Sequence, residues 1–363
     1  MKPIRVRLGE RSYEVQVTTS FASLPRTLRE LRLAPWGCVV SHRSILARYG
    51  RDLLTPLQQA SWTIRTIVVP ESERTKSYAM AARVLEQVAR AMPMRTPTLF
   101  AFGGGVVGDL TGFVAAILRR GVPYVQVPTT LLAQVDSGLG GKVGVDLPLA
   151  KNLVGAIHQP RLVIDHLGVL RSLPLRQRRS GLSEIIKYAM IADAPLFRFL
   201  ETHRAACLAG DLRVDRVMVE RSCRIKARVV SQDEHDTRGI RAALNFGHTL
   251  GHALEAATGY RRFTHGEAIA VGMACAASLS VAMGRLSSAD ANRLTALLQA
   301  VGLPTRADGI ARAALRRALL HDKKFIHGKA RWVLPSRIGR VVVTESVPTA
   351  LMWRVIARHV NGS

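Results

Sequence analysis

Aromatic residues make up only 5% of the 363 residues, cysteines number four, and the 26 acidic residues are outnumbered two to one by 52 bases. The scarcity of aromatics removes the stacking surface that single-stranded nucleic acid needs, and it leaves the core to Ala, Val, Leu and Ile. Cys38, Cys207, Cys223 and Cys275 form no C-x-x-C pair. That excludes a zinc ribbon or a redox dithiol and reads as small buried hydrophobes in a reducing compartment. Long apolar runs are missing as well. In the C-terminal half the longest uncharged stretch, Ala268 to Gly284, is interrupted by Ser and Gly. It falls short of the roughly 20 residues a membrane helix requires. Met1 to Val15 alternates charged and apolar residues, unlike a signal peptide. A cytoplasmic protein with no membrane partner is expected.

What is present is ordinary globular composition, 48% hydrophobic and 21% charged, in a chain long enough for about two domains. The net charge of +26 attracts anions. The bases are dispersed, with small clusters at Arg176 to Arg179 and Arg312 to Lys324, and no nucleic-acid-binding motif accompanies them. The charge therefore reads as a solvated surface that in part serves a small anionic ligand, with no nucleic acid as partner.

The first half alternates short apolar strands with helices. Tyr13 to Val17, Gly37 to Val40, Ile64 to Val69, Thr98 to Phe102 and Tyr124 to Val127 read as strands, and Lys76 to Met92 as a helix. Such alternation predicts an α/β domain with a parallel sheet covered on both faces. Past the Arg-rich stretch 171–181, helical periodicity dominates: Ser183 to Ile191, Leu212 to Ser231, Ala242 to Thr258, Glu267 to Met283, Ser288 to Val301 and Gly309 to Leu320. The expected domains are 1–178, α/β, and 179–363, mostly α-helical.

Three segments carry chemistry. In the first, the strand before Gly103 opens into Gly104, Gly105, Val106 and Gly108-Asp109. Glycines at a strand-to-helix turn let backbone N–H groups approach a pyrophosphate, and the helix N-terminus adds positive potential. The second, residues 128–152, is a Gly-rich loop with Thr129, Thr130, Asp136, Lys142, Lys151 and Asn152. Lysines beside flexible glycines suit a phosphate or carboxylate. In the third, Arg241, Asn245, His248 and His252 are spaced i, i+4, i+7 and i+11, one face of a single helix. Buried groups of this kind need partners, ligands or a ligand-lined site. Two His at i, i+4 invite a metal, with His265 and Glu184 as further ligands. Spacing leaves open which two of His248, His252 and His265 ligate. Lys187 shares a helix face with Glu184, and the run 321–324, ending in Lys324, could reach an anion.

Six of these segments occur in the order seen in 3-dehydroquinate synthases, which the chain resembles over roughly residues 37 to 340: GGGVVGDLTGF, the long run from Arg119 to Pro160, SGLSEIIKYAMI, LNFGHTLGHALE, THGEAIAVGM and HDKK. The resemblance implies a Rossmann-like first domain, a homodimer, bound NAD and one catalytic divalent metal, usually zinc, with cobalt as the alternative. It implies conversion of 3-deoxy-arabino-heptulosonate 7-phosphate, a phosphorylated sugar acid, to 3-dehydroquinate and phosphate. The metal ligands would be Glu184, His248 and His265. NAD would rest on Glu73, Lys76, Gly104, Gly105, Val106, Asp109, Thr129, Thr130 and Asp136, with Lys142 and Lys151 near the nicotinamide and the substrate. The substrate phosphate would meet Asn152, Asn245, His252 and Lys324, with Arg120 reaching from a second subunit. Arg241 and Lys226 would pair with its carboxylate, and Lys187 would contact its ring hydroxyls. Ser41 and His42 stand where the family usually has Asp or Asn near the cofactor ribose. Asp236 is the expected counterpart of an active-site acid in a stretch one residue longer than usual. Gly138 replaces a common Ser. Inosose and valiolone synthases are the nearest alternatives, and a metal-dependent glycerol or alcohol dehydrogenase a more distant one.

Overall fold

The structure, a computed structural model, describes residues 3–147, 151–321, 325–326 and 329–361. The chain separates into two compact units, Met1–Leu173 with Lys226–His235, and Pro174–Ile225 with Asp236–Ser363. The break falls at Pro174, which caps the start of a helix at Leu175, a few residues before the expected boundary at 178. The segment Lys226–His235 closes the helix Leu212–Gln232 and belongs to the first unit.

The first unit is built on a seven-stranded sheet of strands β1 (Ile4–Val6), β2 (Tyr13–Thr18), β3 (Trp36–Ser41), β4 (Thr63–Val68), β5 (Thr98–Gly103), β6 (Tyr124–Pro128) and β9 (Leu162–His166). Between the last two runs the hairpin β7 (Lys142–Val145) and β8 (Val154–Ile157). Spatial order is β1-β2-β9-β6-β5-β3-β4, and every pair is parallel except β1 with β2. Alternate side chains enter two separate cores. Cys38, Val40, Leu99 and Ala101 pack on one face with Val84, Val88, Leu110 and Phe113. Val39, Phe100, Phe102, Val125 and Val127 pack on the other with Leu28, Leu53 and Leu57. Burial on both faces is why these strands read as continuous apolar runs. From β3 the chain steps outward to β4, then returns to place β5 on the other side of β3. This reversal makes the carboxyl ends of β3 and β5 the point where open α/β sheets bind ligands.

The helix expected over Lys76 to Met92 runs Tyr78–Ala91; Ser77 caps it by accepting the Met80 amide, and the 3-10 turn Glu73–Thr75 precedes it. The segment 128–152 is not simply a loop, for it contains the π-helical turn Ala133–Ser137 and strand β7. Strand β9 carries Asp165 and His166 and is interrupted by polar groups, so its pattern did not register as a strand.

The second unit packs helices around His265–Ala282, which is buried along almost its whole length. That helix is long and apolar enough to cross a membrane by length and composition, but most of it lies inside this unit's core. A hairpin, Trp332–Arg337 with Arg340–Thr344, packs in the same unit and extends the strand expected at 340–343. Arg178 and Asp215 form a fully buried pair, Nη1–Oδ1 2.7 Å and Nη2–Oδ2 2.9 Å. All four cysteines are buried and none forms a disulfide. Burial pushes the Cys38 thiol up to about 11 and the Cys207 thiol up to about 12, so both behave as inert apolar groups.

Candidate active site

In the first unit, β5 ends at Gly103, and Gly104, which has no side chain to cap with, stands at the N-cap of the helix Gly105–Ile117. The first-turn N–H groups are thus available to an anionic oxygen. The glycines here are required by close packing. A Cβ on Gly103 would lie 2.6 Å from Val107 Cγ2, and one on Gly112 would lie 2.3 Å from Val143 Cγ1. The turn, the helix and strand β7 therefore sit closer together than any side chain would permit.

Beside this turn stands a network of charge. Lys76 Nζ lies 2.5 Å from Asp109 Oδ2 and also donates to Asn152 Oδ1. Burial pushes the Asp109 carboxyl up from its ordinary range, and Lys76 opposes the shift. Lys151 pairs with Glu73 at 2.9 Å. Asn152 adopts a positive φ of 53° and donates its amide to Asp146 Oδ1 at 2.8 Å, while the Asp146 amide donates to the Lys76 carbonyl at 2.8 Å. Lys226 donates to both the carbonyl (2.7 Å) and Oδ1 (2.6 Å) of Asp136. Thr129 is buried and its amide bonds the Gly103 carbonyl, while Thr130 Oγ1 accepts the Ala133 amide. Ser41 Oγ donates to the Phe102 carbonyl across the β3–β5 end, and His42 Nδ1 meets the Val69 carbonyl at 3.1 Å. Lys142 is exposed on β7, and Arg120 is exposed after the helix, with φ 64°.

In the second unit, Glu184, His248 and His265 converge, their donor atoms all within 4.8 Å of one another. Three close approaches make this possible. A Cβ on Gly266 would sit 2.4 Å from the Ser180 Cα and carbonyl oxygen, one on Gly272 1.9 Å from the Gly247 oxygen, and one on Gly251 2.6 Å from Ile269 Cδ1. A capping box between Thr264 and Glu267 starts the helix at His265. Arg176 grips Glu267 in a bidentate pair at 2.8 Å, and Ser180 Oγ accepts the Gly266 amide at 3.0 Å. Together they bolt the start of helix His265–Ala282 onto helix Leu175–Ala192, and so set His265 against Glu184. Burial would raise the Glu267 carboxyl, but Arg176 and the Thr264 amide hold it below the usual range.

The geometry could hold a cation. Glu184 Oε1 lies 3.5 Å from His265 Nε2 and 3.7 Å from His248 Nε2. Ligand atoms at ~2.1 Å from a tetrahedral ion stand about 3.4 Å apart. Glu184 is fully buried, with Lys187 beside Oε2 as an ion pair and the two imidazole Nε2 atoms facing Oε1. His248 Nδ1 faces the Phe246 carbonyl at 3.2 Å, and Nε2 is the nitrogen that faces Glu184. Burial lowers the His265 pKa, but Glu184 and Glu255 outweigh it and raise it to about 10. Two carboxylates face the one His265 ring, and a divalent ion with N and O ligands fits these donors.

The single helical face expected over 241–252 does not form. Ile240–Asn245 is a 3-10 turn, Gly247 takes φ 82°, and His248 begins a new helix, His248–Ala257. The cause is the crossing with helix His265–Ala282: a Cβ at Gly247 would lie 2.7 Å from the Ile269 carbonyl and 2.6 Å from Met273 Cγ. His248 and His252 keep their shared face, with ring centroids 5.1 Å apart, and His252 lies 6.1 Å from the His265 ring. Arg241 is buried and Asn245 half-buried on the 3-10 turn, which packs on helix Leu175–Ala192. Asp236, the expected counterpart of an active-site acid, is exposed, and Asp233 in the same stretch is buried. Lys324 lies outside the described residues. Asp146 and Glu255 were missed. Asp146 was one acid in a Gly-rich segment, and Glu255, seven residues after His248, carried the helical spacing that could have found it.

Comparison with known proteins is concordant. Residues 66–180 match the family described as 3-dehydroquinate synthase N-terminal, and residues 181–325 that described as 3-dehydroquinate synthase C-terminal. A 3-dehydroquinate synthase of Picosynechococcus sp. is 43% identical over 97% of this chain and 98% of its own length. Among solved structures, the 2-epi-5-epi-valiolone synthase of Streptomyces hygroscopicus, with NAD+ and Zn2+ bound, superposes with a TM-score of 0.87 at 27% identity over 97% of each chain. A 2-deoxy-scyllo-inosose synthase complexed with carbaglucose-6-phosphate, NAD+ and Co2+ shares the fold at a TM-score of 0.87 and 24% identity, covering 99% of this chain and 100% of its own. The chain belongs to the 3-dehydroquinate synthase family.

Proposed function

We propose that the chain converts 3-deoxy-arabino-heptulosonate 7-phosphate to 3-dehydroquinate and phosphate, a step of the shikimate pathway to chorismate and the aromatic amino acids, as a phosphate-eliminating lyase. The observation that carries this reading is the convergence of His248 and His265 on the fully buried Glu184 carboxylate, in a chain of this family. When bound, NAD supplies a hydride acceptor that is regenerated each turnover, and a divalent metal, zinc or cobalt, supplies Lewis acidity to the hydroxyls.

The residues of the first unit serve the dinucleotide. The amides after Gly104 bind the pyrophosphate, and Lys76, Asp109, Thr129, Thr130 and Asp136 fix the surrounding loops. In the second unit, Glu184, His248 and His265 hold the metal. The Lys187 ammonium, buried beside Glu184, orients ring hydroxyls by donating to them. Arg241, a buried cation, binds the substrate carboxylate, a pairing that an inosose synthase has no need of. His252, adjacent to His248 but outside the ligand set, takes a proton at a ring nitrogen during phosphate elimination. Asn245 donates its amide to the leaving phosphate. The homodimer, with exposed Arg120 serving a partner, and a cytoplasmic location belong to the same reading.

The test is phosphate release from the heptulosonate phosphate, followed together with absorbance of the reduced nicotinamide. Chelator-sensitive release with no accumulation of NADH is expected. Stoichiometric NADH without phosphate would replace this reading with a dehydrogenase.

A further inference from the structure

We propose that Glu255 is a positioning residue for the metal centre: its carboxylate holds the Nδ1–H of His265 and so turns Nε2 toward Glu184. This rests on the metal reading above. The His265 ring is flanked on both nitrogens. Nε2 lies 3.5 Å from Glu184 Oε1, and Nδ1 lies 3.5 Å from Glu255 Oε1. Both carboxyl side chains are largely shielded from water, with relative exposures of 0% and 12%.

Two further observations give Glu255 this task. The first is symmetry of treatment. His248 has its Nδ1 against the Phe246 carbonyl, an acceptor supplied by the backbone just before its own helix. His265 stands at the first position of its helix, so a different acceptor must select its tautomer, and helix His248–Ala257 presents Glu255 there. The helix that carries one imidazole thus orients the other. The second is charge. With Glu184, Glu255 brings two carboxylates to a site that takes one divalent ion, which lowers the cost of burying that ion.

The same side chains permit one rival arrangement. His252, Glu255 and His265 also place donor atoms within 4.8 Å of one another, on the Nδ1 side of the shared ring. In that arrangement Glu255 would itself be a ligand of a second ion. An imidazole that donates Nδ1–H to Glu255 cannot ligate through that nitrogen, so the two arrangements are exclusive and give different stoichiometries.

The experiment strips the full-length protein with a chelator, then titrates Zn2+ against a chromophoric competitor and Co2+ against its visible absorption. The wild type, E255A and E255Q are compared, with apo-protein melting as a control. One ion per chain is expected in the wild type. E255A should bind Zn2+ about 10–100-fold more weakly and alter the intensity of the cobalt bands. E255Q, whose carboxamide oxygen still accepts Nδ1–H, should stay within a few-fold of wild type. Equal affinity in E255A and wild type would overturn the proposal and leave the metal reading standing, as would equal loss in E255Q and E255A. Two ions per wild-type chain, the second absent in E255A, would establish the rival arrangement. A wild type that binds no ion would refute the metal reading itself.

Discussion

Gly266→Ala isolates the contact that builds the metal centre. The added methyl would sit 2.4 Å from both Cα and the carbonyl oxygen of Ser180, backbone atoms in a buried helix that cannot swing aside. Ordinary van der Waals contact begins at 3.4 Å. The start of helix His265–Ala282 must therefore retreat by about 1 Å, whereas metal–ligand bonds tolerate about 0.2 Å. His265, the adjacent residue, moves out of reach of an ion held by Glu184 and His248. Overpacking of this kind costs about 1–3 kcal/mol. In a unit of this size each kcal/mol lowers Tm by about 2–4 °C. The assay is thermal melting of the chelator-treated protein together with Zn2+ titration, with Gly50→Ala as control. A Cβ at Gly50 would meet Leu46 only at 3.6 Å, and helix propensity favours Ala, so that variant should keep wild-type stability or gain slightly. If Gly266→Ala melted and bound Zn2+ like wild type, the idea that this helix crossing sets the centre would be wrong.

Replacing His248 by Ala should abolish tight Zn2+ binding and phosphate release while leaving the apo-protein folded, checked by metal analysis and circular dichroism. Asp215→Ala strands the buried Arg178 guanidinium and should cost about 3–5 kcal/mol in denaturant unfolding. Glu234 is held below the usual carboxylate range by the Arg11 side chain, which outweighs the opposing effect of burial. Because its folded pKa is depressed, the stability it confers is present above the unfolded value near 4.5 and is lost as pH falls through the folded value. Glu234→Gln should accordingly flatten the acid limb of the stability–pH curve without changing stability above about pH 6 beyond the ~1 kcal/mol of an exposed ion pair.

Much of the first unit was legible because its central strands are buried on both faces, so that local composition alone marks them. Strand β9 escaped because Asp165 and His166 interrupt its apolar pattern, and β7 because Gly144 and the flanking glycines read as loop. The acid–base pairs beside Gly104 were legible as residue types. That Lys76 would serve both Asp109 and Asn152, and Lys226 would serve Asp136, depends on contacts spanning 33, 76 and 90 positions of sequence, which no periodicity encodes.

By itself the chain's order of residues determined its family and its glycine-lined turn and brought Glu184, His248, His252 and His265 forward as candidate ligands, because short-range spacing and motif chemistry are written locally. The tertiary structure alone decided how those side chains meet. Gly247 must leave the helical region for helix His248–Ala257 to cross its neighbour, so Arg241 and Asn245 stand on a separate turn from the histidines. Gly266 and Gly272 act by what they lack, and an absent Cβ acquires meaning only when another backbone passes within 3 Å of where it would stand.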